Sequence, residues 1–282
     1  MAVRRGGRFR HFVKDHIGVV PFLFFALFPV YFMFITALKK NKELYNLDAV
    51  PFLIREGVTF QHFLYVYTKT NFFIWLKNSV VVSVTATAIA LPISILAAYS
   101  LARIPFKGAA TFGTTIFITY LVPPTLLFLP LTRVVNFLGL ADSIWALIVT
   151  YPTFLIPFST WLLIGYFRTV PREIEECAMV DGCSRLGTLF RIVLPVSIPG
   201  LICVLLFSFT LSWNEFIYAL TFISSSPSKT VTVGTAAELI RGDVFNWGAI
   251  MAGAFTGALP IVIIYVFFLD YYVAGLTAGA VK

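Results

Sequence analysis

The chain has 282 residues, 59% of them hydrophobic and only 12% charged, with a mean hydropathy of +0.89 and a formal net charge of +8. Too few polar side chains are present to clothe a water-facing surface of that size, which excludes an ordinary soluble enzyme or binding domain. The 21 lysines and arginines are scattered singly between apolar runs beyond the N-terminus, so no basic stripe points to nucleic acid and the charges read as membrane topology.

Apolar segments fall at about 17–38, 78–102, 110–132, 144–167, 196–220 and 247–270. At about 1.5 Å rise per residue, each is long enough to cross a hydrocarbon core of roughly 30 Å as a helix. The short alternating segments of a membrane barrel are not seen. The predicted fold is therefore all-α: a polytopic membrane protein with six transmembrane helices in one transmembrane domain spanning 1–282.

Arg4, Arg5, Arg8, Arg10 and Lys14 precede the first segment, and the positive-inside rule then puts both termini in the cytoplasm. Twelve of the 21 basic residues fall inside on this scheme, while six of the others (Lys39, Lys40, Lys42, Arg55, Lys69 and Lys77) fall in a first outer loop, 39–77. Trp75, Trp145, Trp213 and Trp247 lie at the expected outer ends of their spans, where indole rings favour the interface. The first segment exceeds a signal-peptide core and has no small-x-small site before Lys39, so it reads as a retained helix.

Ten prolines interrupt the six segments, among them the adjacent Pro123 and Pro124. Each removes a backbone donor and bends its helix, which suits a bundle that opens and closes and is equally common in membrane helices generally. No ionisable residue sits near the middle of a span; Glu215 and Asp270 touch only the ends of the fifth and sixth. The usual mark of an ion-coupled carrier is thus missing, as are the paired broken segments of an inverted repeat.

Three histidines (His11, His16, His62) and three cysteines (Cys177, Cys183, Cys203) fit no zinc or disulfide spacing, so no metal site is expected. No GxSxG, HExxH or P-loop sequence occurs, so the chain is not expected to be an enzyme, and any ATP must bind a separate subunit.

The most informative stretch is TVPREIEECAMVDGCSRLGTLFRIVLPVSIPG, residues 169–200, which takes in nearly all of the inner loop 168–195 and reads as two short helices. Pro171 suits a first helical turn, and Glu173, Glu175 and Glu176 place negative charge at the positive end of the helix dipole. Gly182 suits a left-handed cap, and Ser184 can cap the next helix. That helix repeats Leu186, Leu189, Phe190 and Val193 at i, i+3, i+4 and i+7 and stops at Pro195. Such an amphipathic helix lies on lipid or fills a groove in a partner, and periodicity alone does not choose between them.

Within that stretch, EECAMVDGCSRLGTLFRIVLPVSIP resembles the EAA loop of binding-protein-dependent ABC importer permeases. Glu176, Ala178, Asp181, Gly182, Ile192, Leu194 and Pro195 match the pattern, while Cys177 and Cys183 stand where alanine is common. Asn78, Ser79, AAYSLAR at 97–103, SWNEFIYAL at 212–220 and the terminal GLTAGAVK resemble the maltose-type carbohydrate branch of that family. The likeness covers roughly residues 75–282.

The resemblance implies a multi-pass permease of the bacterial cytoplasmic membrane that takes a carbohydrate or polyol inward. Its implied partners are a second homologous permease subunit, a dimer of ATP-binding subunits that hold ATP and Mg, and an extracytoplasmic solute-binding protein; the chain itself carries no cofactor. It implies further that the EAA loop docks on the ATPase through Glu176, Cys177, Ala178, Asp181, Gly182, Leu186, Leu189 and Phe190. A second contact is expected from the C-terminal tail, at Gly275, Leu276, Thr277 and Gly279. Tyr120, Tyr151, Asn214, Glu215 and Tyr218 are the candidates for the translocation path, the aromatic rings because they can stack on sugar faces. Asn214 and Glu215 read equally well as a binding-protein contact or an ordinary helix end. Six kinked spans on their own are also compatible with a secondary carrier or channel for small polar solutes.

Overall fold

The computed structural model describes residues 18–241 and 244–278, with side chains for 18–240 and 245–275. The basic cluster from Arg4 to Lys14, with His11 and His16, and the end of the chain from Gly279 to Lys282 lie outside the described residues. The chain is built from α1 (Val19–Leu38), α2 (Asn41–Leu44), α3 (Gln61–Lys69), α4 (Phe72–Arg103), α5 (Ala109–Leu121) and α6 (Pro124–Phe137). There follow α7 (Ile144–Phe167), α8 (Arg172–Val180), α9 (Arg185–Val196), α10 (Ile198–Asn214), α11 (Ile217–Phe222), α12 (Val231–Glu238), α13 (Trp247–Phe267) and α14 (Leu269–Ala278). Two-residue strands β1 (Ile240–Arg241) and β2 (Val244–Phe245) pair antiparallel between α12 and α13, a small exception to the all-α expectation.

Four helices, α1, α4, α7 and α13, are long and apolar enough to cross a membrane. The third expected crossing is bent within its length, and a corner stands where the fifth was expected to begin. Helices α5 and α6 meet at 94°, and α9 and α10 at 82°; counting each pair as one crossing gives six. The first bend has a covalent cause: Pro123 and Pro124 lack the N–H groups that would continue α5, so Thr119 and Tyr120 lose their usual helical donors. At 13 residues α5 covers about 20 Å, too little to cross alone.

The chain packs as two compact units. The first comprises residues up to Phe72 together with Thr235–Gly257. At its centre Lys39, expected as an exposed topology marker, is buried where α1 ends. Its ammonium donates to the carbonyls of Val50 (2.9 Å) and Pro51 (3.1 Å) and pairs with Glu43 at 3.3 Å. Burial pushes the Glu43 carboxyl up, but the backbone N–H groups of Glu56 and Arg55, together with Lys39, outweigh it and hold Glu43 below the usual carboxylate range. His62 is also buried, its Nε2 2.9 Å from the Lys39 carbonyl, and its ring leaves no room for a side chain at Gly248 of α13.

The second unit comprises Phe73–Gly234 and the chain from Ala258 onward. Its long helix α4 joins two apolar clusters. Toward one end Val82, Ala86 and Ala90 pack with Leu147, Tyr151, Leu155, Tyr218 and Phe222; toward the other, Ala98, Tyr99 and Ala102 pack with Leu163, Phe167, Leu189 and Val193. The recurring alanines let backbones approach closely, which is how helices associate where lipid removes the hydrophobic drive between them.

Two of the four tryptophans depart from their expected interface positions. Trp75 is fully buried and donates through Nε1 to the Ser226 carbonyl at 2.7 Å, and Trp213 is 2% exposed, whereas Trp145 (55%) and Trp247 (43%) remain at the surface. The sequence marks an indole near a helix end but not which side of the helix meets protein. Helix α4 begins at Phe72, several residues before the expected start at 78, so Trp75 lies within it and on its protein-facing side.

Candidate functional site

The loop between α7 and α9 is shaped by local signals that the sequence carries openly. Pro171, at φ −59°, enters α8, whose first turn holds Glu173 and Glu175 against the positive end of the helix dipole. The helix ends in a paired cap: Cys183 N–H donates to the Ala178 carbonyl and Gly182 N–H to the Met179 carbonyl, with Gly182 left-handed at φ +87°. Ser184 then caps α9, its Oγ accepting from Gly187 N–H at 3.1 Å.

The outward side of this loop carries six of the eight expected coupling residues: Glu176, Cys177, Asp181, Gly182, Leu186 and Phe190. Val180, 87% exposed, joins them. Ala178 and Leu189 point the other way, into the protein. The expected single stripe of Leu186, Leu189, Phe190 and Val193 is therefore split between two faces. Its cause is a π-helical segment at Leu189–Val193, which widens the turn, so the ideal α spacing no longer puts these residues on one side. Leu189 is wholly buried beside Val193, while Phe190 is 58% exposed.

Underneath the loop lies a polar cluster that sequence reading missed. Arg103, the last residue of α4, pairs through Nε with Glu175 Oε1 at 2.7 Å and donates through Nη2 to the Phe167 and Val170 carbonyls. Tyr99 donates to the other Glu175 oxygen at 3.2 Å. The sequence offers only the acidic run around Glu175 and the string AAYSLAR, and nothing in either announces their pairing.

The candidate path residues separate into two groups. Tyr151 and Tyr218 are fully buried, with ring centroids 6.3 Å apart. Glu215 accepts from Tyr151 Oη at 2.9 Å and from the backbone N–H groups of Tyr218 (2.8 Å) and Ala219 (3.1 Å), so its carboxylate caps α11. Asn214 closes α10 and is exposed. Tyr120 stands at the α5–α6 bend, its ring parallel to Trp161 within 10° at a centroid separation of 6.1 Å. It lines a cleft of about 360 Å³ with Thr119, Thr153, Phe154 and Phe158.

The C-terminal segment is helical through Ala278, which the glycine-rich sequence did not lead one to expect. Helix α14 lies along α10, with Tyr272 against Phe207 at 5.7 Å, and a side chain on Gly275 would meet the Pro199 carbonyl at 2.7 Å. Leu276 and Thr277 continue that helix, and Gly279 lies outside the described residues.

Residues 90–278 match the family described as "Binding-protein-dependent transport system inner membrane component". The chain belongs to that family. This permease is 38% identical over 269 residues to the inner membrane ABC transporter permease protein YcjP of Escherichia coli (strain K12), covering 95% of each chain. It is 35% identical to the diacetylchitobiose uptake system permease protein DasC of Streptomyces coelicolor, over 96% of this chain and 97% of that one. With the trehalose/maltose transport system permease protein MalG of Thermococcus litoralis the identity is 32%, over 94% and 95%. Its fold is that of a chain in the crystal structure of a bacterial ABC transporter involved in import of the acidic polysaccharide alginate, with a TM-score of 0.73 at 19% identity over 96% of this chain and 99% of that one. The permease is thus the membrane subunit of an ABC transport system and is not itself catalytic; ATP hydrolysis resides in a separate subunit.

Proposed function

We propose that this permease carries a carbohydrate inward across the bacterial cytoplasmic membrane, driven by a pair of ATP-binding subunits that dock on the α8–Gly182–α9 loop. The observation that supports this most directly is the loop's outward face. Val180, Leu186 and Phe190 are exposed apolar side chains set among Glu176, Cys177, Asp181 and Gly182, on a turn fixed by its own caps. Full burial of such side chains in a partner's cleft is worth about 1.5–3 kcal/mol each. Ala178 and Leu189 serve the same surface from behind, as packing.

In this reading both termini are cytoplasmic, a second homologous permease completes the pathway, and a solute-binding protein delivers the sugar from outside. Carbohydrate as cargo is supported by the uptake systems named for DasC and MalG. Tyr120 and Asn214, both accessible, face the path, while Tyr151, Glu215 and Tyr218 form the frame behind it. The tail beyond Gly275, from Leu276 to Gly279, gives the ATPases a second contact.

The test is recovery of an ATPase with the tagged chain from membranes, followed by transport and hydrolysis in proteoliposomes. Glu176→Lys reverses a charge on the docking face and is expected to lower both ATPase recovery and stimulated hydrolysis while the chain still inserts. A wild-type chain that purifies without an ATPase and transports as a carrier would overturn the reading.

A further inference from the structure

We propose that Arg103 is a positioning residue that hands movement of the docking loop to α4, and that α4 carries it as a rod to the segment 225–231. The proposal rests on the reading of α8 and α9 as the ATPase-docking surface. At one end of the rod, Arg103 and Tyr99 together hold both oxygens of Glu175, and the Arg103 guanidinium also ties down the Phe167 and Val170 carbonyls. The Arg103 and Glu175 side chains are 5% and 7% exposed, so water offers no alternative partners when the loop is pushed. The Arg103–Glu175 contact is a close ion pair, and the aligned hydrogen bonds of the cluster are those of Tyr99 to Glu175 and of the guanidinium to the two carbonyls.

Glu175 and Glu176 are neighbours on α8 that point to opposite sides, one to Arg103 and one to the docking face. Two adjacent positions of α8 thus join an external contact to an internal pull.

The other end of α4 is fastened in the same manner. Asn78 Nδ2 donates to the carbonyls of Pro227 (2.8 Å) and Lys229 (3.0 Å), and Ser79 Oγ accepts from Val231 N–H at 2.8 Å. Trp75 adds a bond to the Ser226 carbonyl. The helix is continuous between these two fastenings: Pro92 removes one backbone donor within it without ending it, and the 32 residues extend about 48 Å. A continuous helix bonded at both ends to loops on opposite sides of the unit transmits displacement, whereas either set of bonds alone would only fix local shape.

The experiment uses the complete transporter in proteoliposomes, with its ATPase and binding protein, and four variants: Arg103→Gln, Tyr99→Phe, Asn78→Ala, and the swap of Arg103→Glu with Glu175→Arg. The readout is the ratio of binding-protein-stimulated to basal hydrolysis, alongside ATPase recovery. Arg103→Gln is expected to lower the ratio about tenfold with recovery retained, a loss within the usual range of coupling between sites. Tyr99→Phe, which removes only a hydroxyl and keeps the test open if Arg103→Gln folds poorly, should lower the ratio by a smaller factor. Asn78→Ala, at the far end of the rod, should lower it as well, and the swap should not restore the loss, because a carboxylate at 103 would face the Phe167 and Val170 carbonyls that the guanidinium now ties down. A wild-type ratio in Arg103→Gln and Tyr99→Phe would overturn the proposal, as would a fall in ATPase recovery that accounts for the whole effect. Failure of the wild-type chain to recover an ATPase would overturn the docking reading, and this proposal with it.

Discussion

The phenol of Tyr151 donates to Glu215 across 2.9 Å, joining the point where Pro152 follows in α7 to the turn between α10 and α11. Because the same carboxylate also caps Tyr218 and Ala219, Glu215→Ala strips the acceptor from three donors at once. Each donor left buried without a partner costs about 1–3 kcal/mol, so the variant is expected to melt well below the wild type in detergent. Asn214→Ala touches none of these bonds; it should melt normally and lower transport. Equal melting of the two variants would remove the distinction between frame and path.

Gly182→Val isolates a backbone effect. No atom lies within 4 Å of a side chain built there, so the penalty comes from the left-handed backbone alone, about 1–2 kcal/mol. The expected result is reduced transport and ATPase recovery, with Gly182→Asn in between, since asparagine tolerates this conformation better. Wild-type transport by the valine variant would contradict the capping role.

Protonation of His62 gives the first unit a pH dependence. Burial lowers its pKa below the ordinary 6.5, although the Lys39 carbonyl opposes the shift. Below about 6.5 the unfolded state takes up a proton that the folded state resists, so stability is complete above that pH and declines as the pH falls toward the lowered folded value. Melting temperatures measured from pH 8 down to pH 5 should fall in the wild type and flatten in His62→Gln.

Gly275→Val tests how α14 is seated. The new Cβ would stand 2.7 Å from the Pro199 carbonyl and 2.9 Å from Cys203 Cβ, and backbone cannot yield as a flexible side chain can. Overpacking of this kind costs about 1–3 kcal/mol, and limited proteolysis should then release the C-terminal segment sooner than in the wild type. An unchanged cleavage pattern would argue against tight seating of α14 on α10.

The parts of this protein that are legible in sequence are those set by neighbours along the chain. Four of the six apolar runs, the caps at Gly182 and Ser184 and the acidic start of α8 depend on residues a few positions apart, and each appears in the structure where local chemistry puts it. What depends on distant partners was hidden. Arg103 and Lys39 read as topology charges, yet both are buried in specific ion pairs, and Trp75 and Trp213 read as interface residues because an indole near a helix end does not reveal its facing side. Leu189 and Phe190 were placed together by an ideal helical period that the π-helical segment breaks.

That π-helical segment also sets a rule about length. A π turn is an α-helix that has accommodated one additional residue, and Leu189–Val193 closes only shortly before the 82° corner into α10. Removing a single residue there, Arg191 for example, would let the segment relax to ordinary α geometry with both flanks nearly keeping their direction, whereas removing Thr188 from the α turn before it would turn everything on its N-terminal side by about 100° relative to that corner. Leu186 and the Ser184 cap would then face a different direction without any change in their own chemistry. Relatives that keep this docking face should therefore gain or lose a residue within the π-helical segment but not between Ser184 and Thr188.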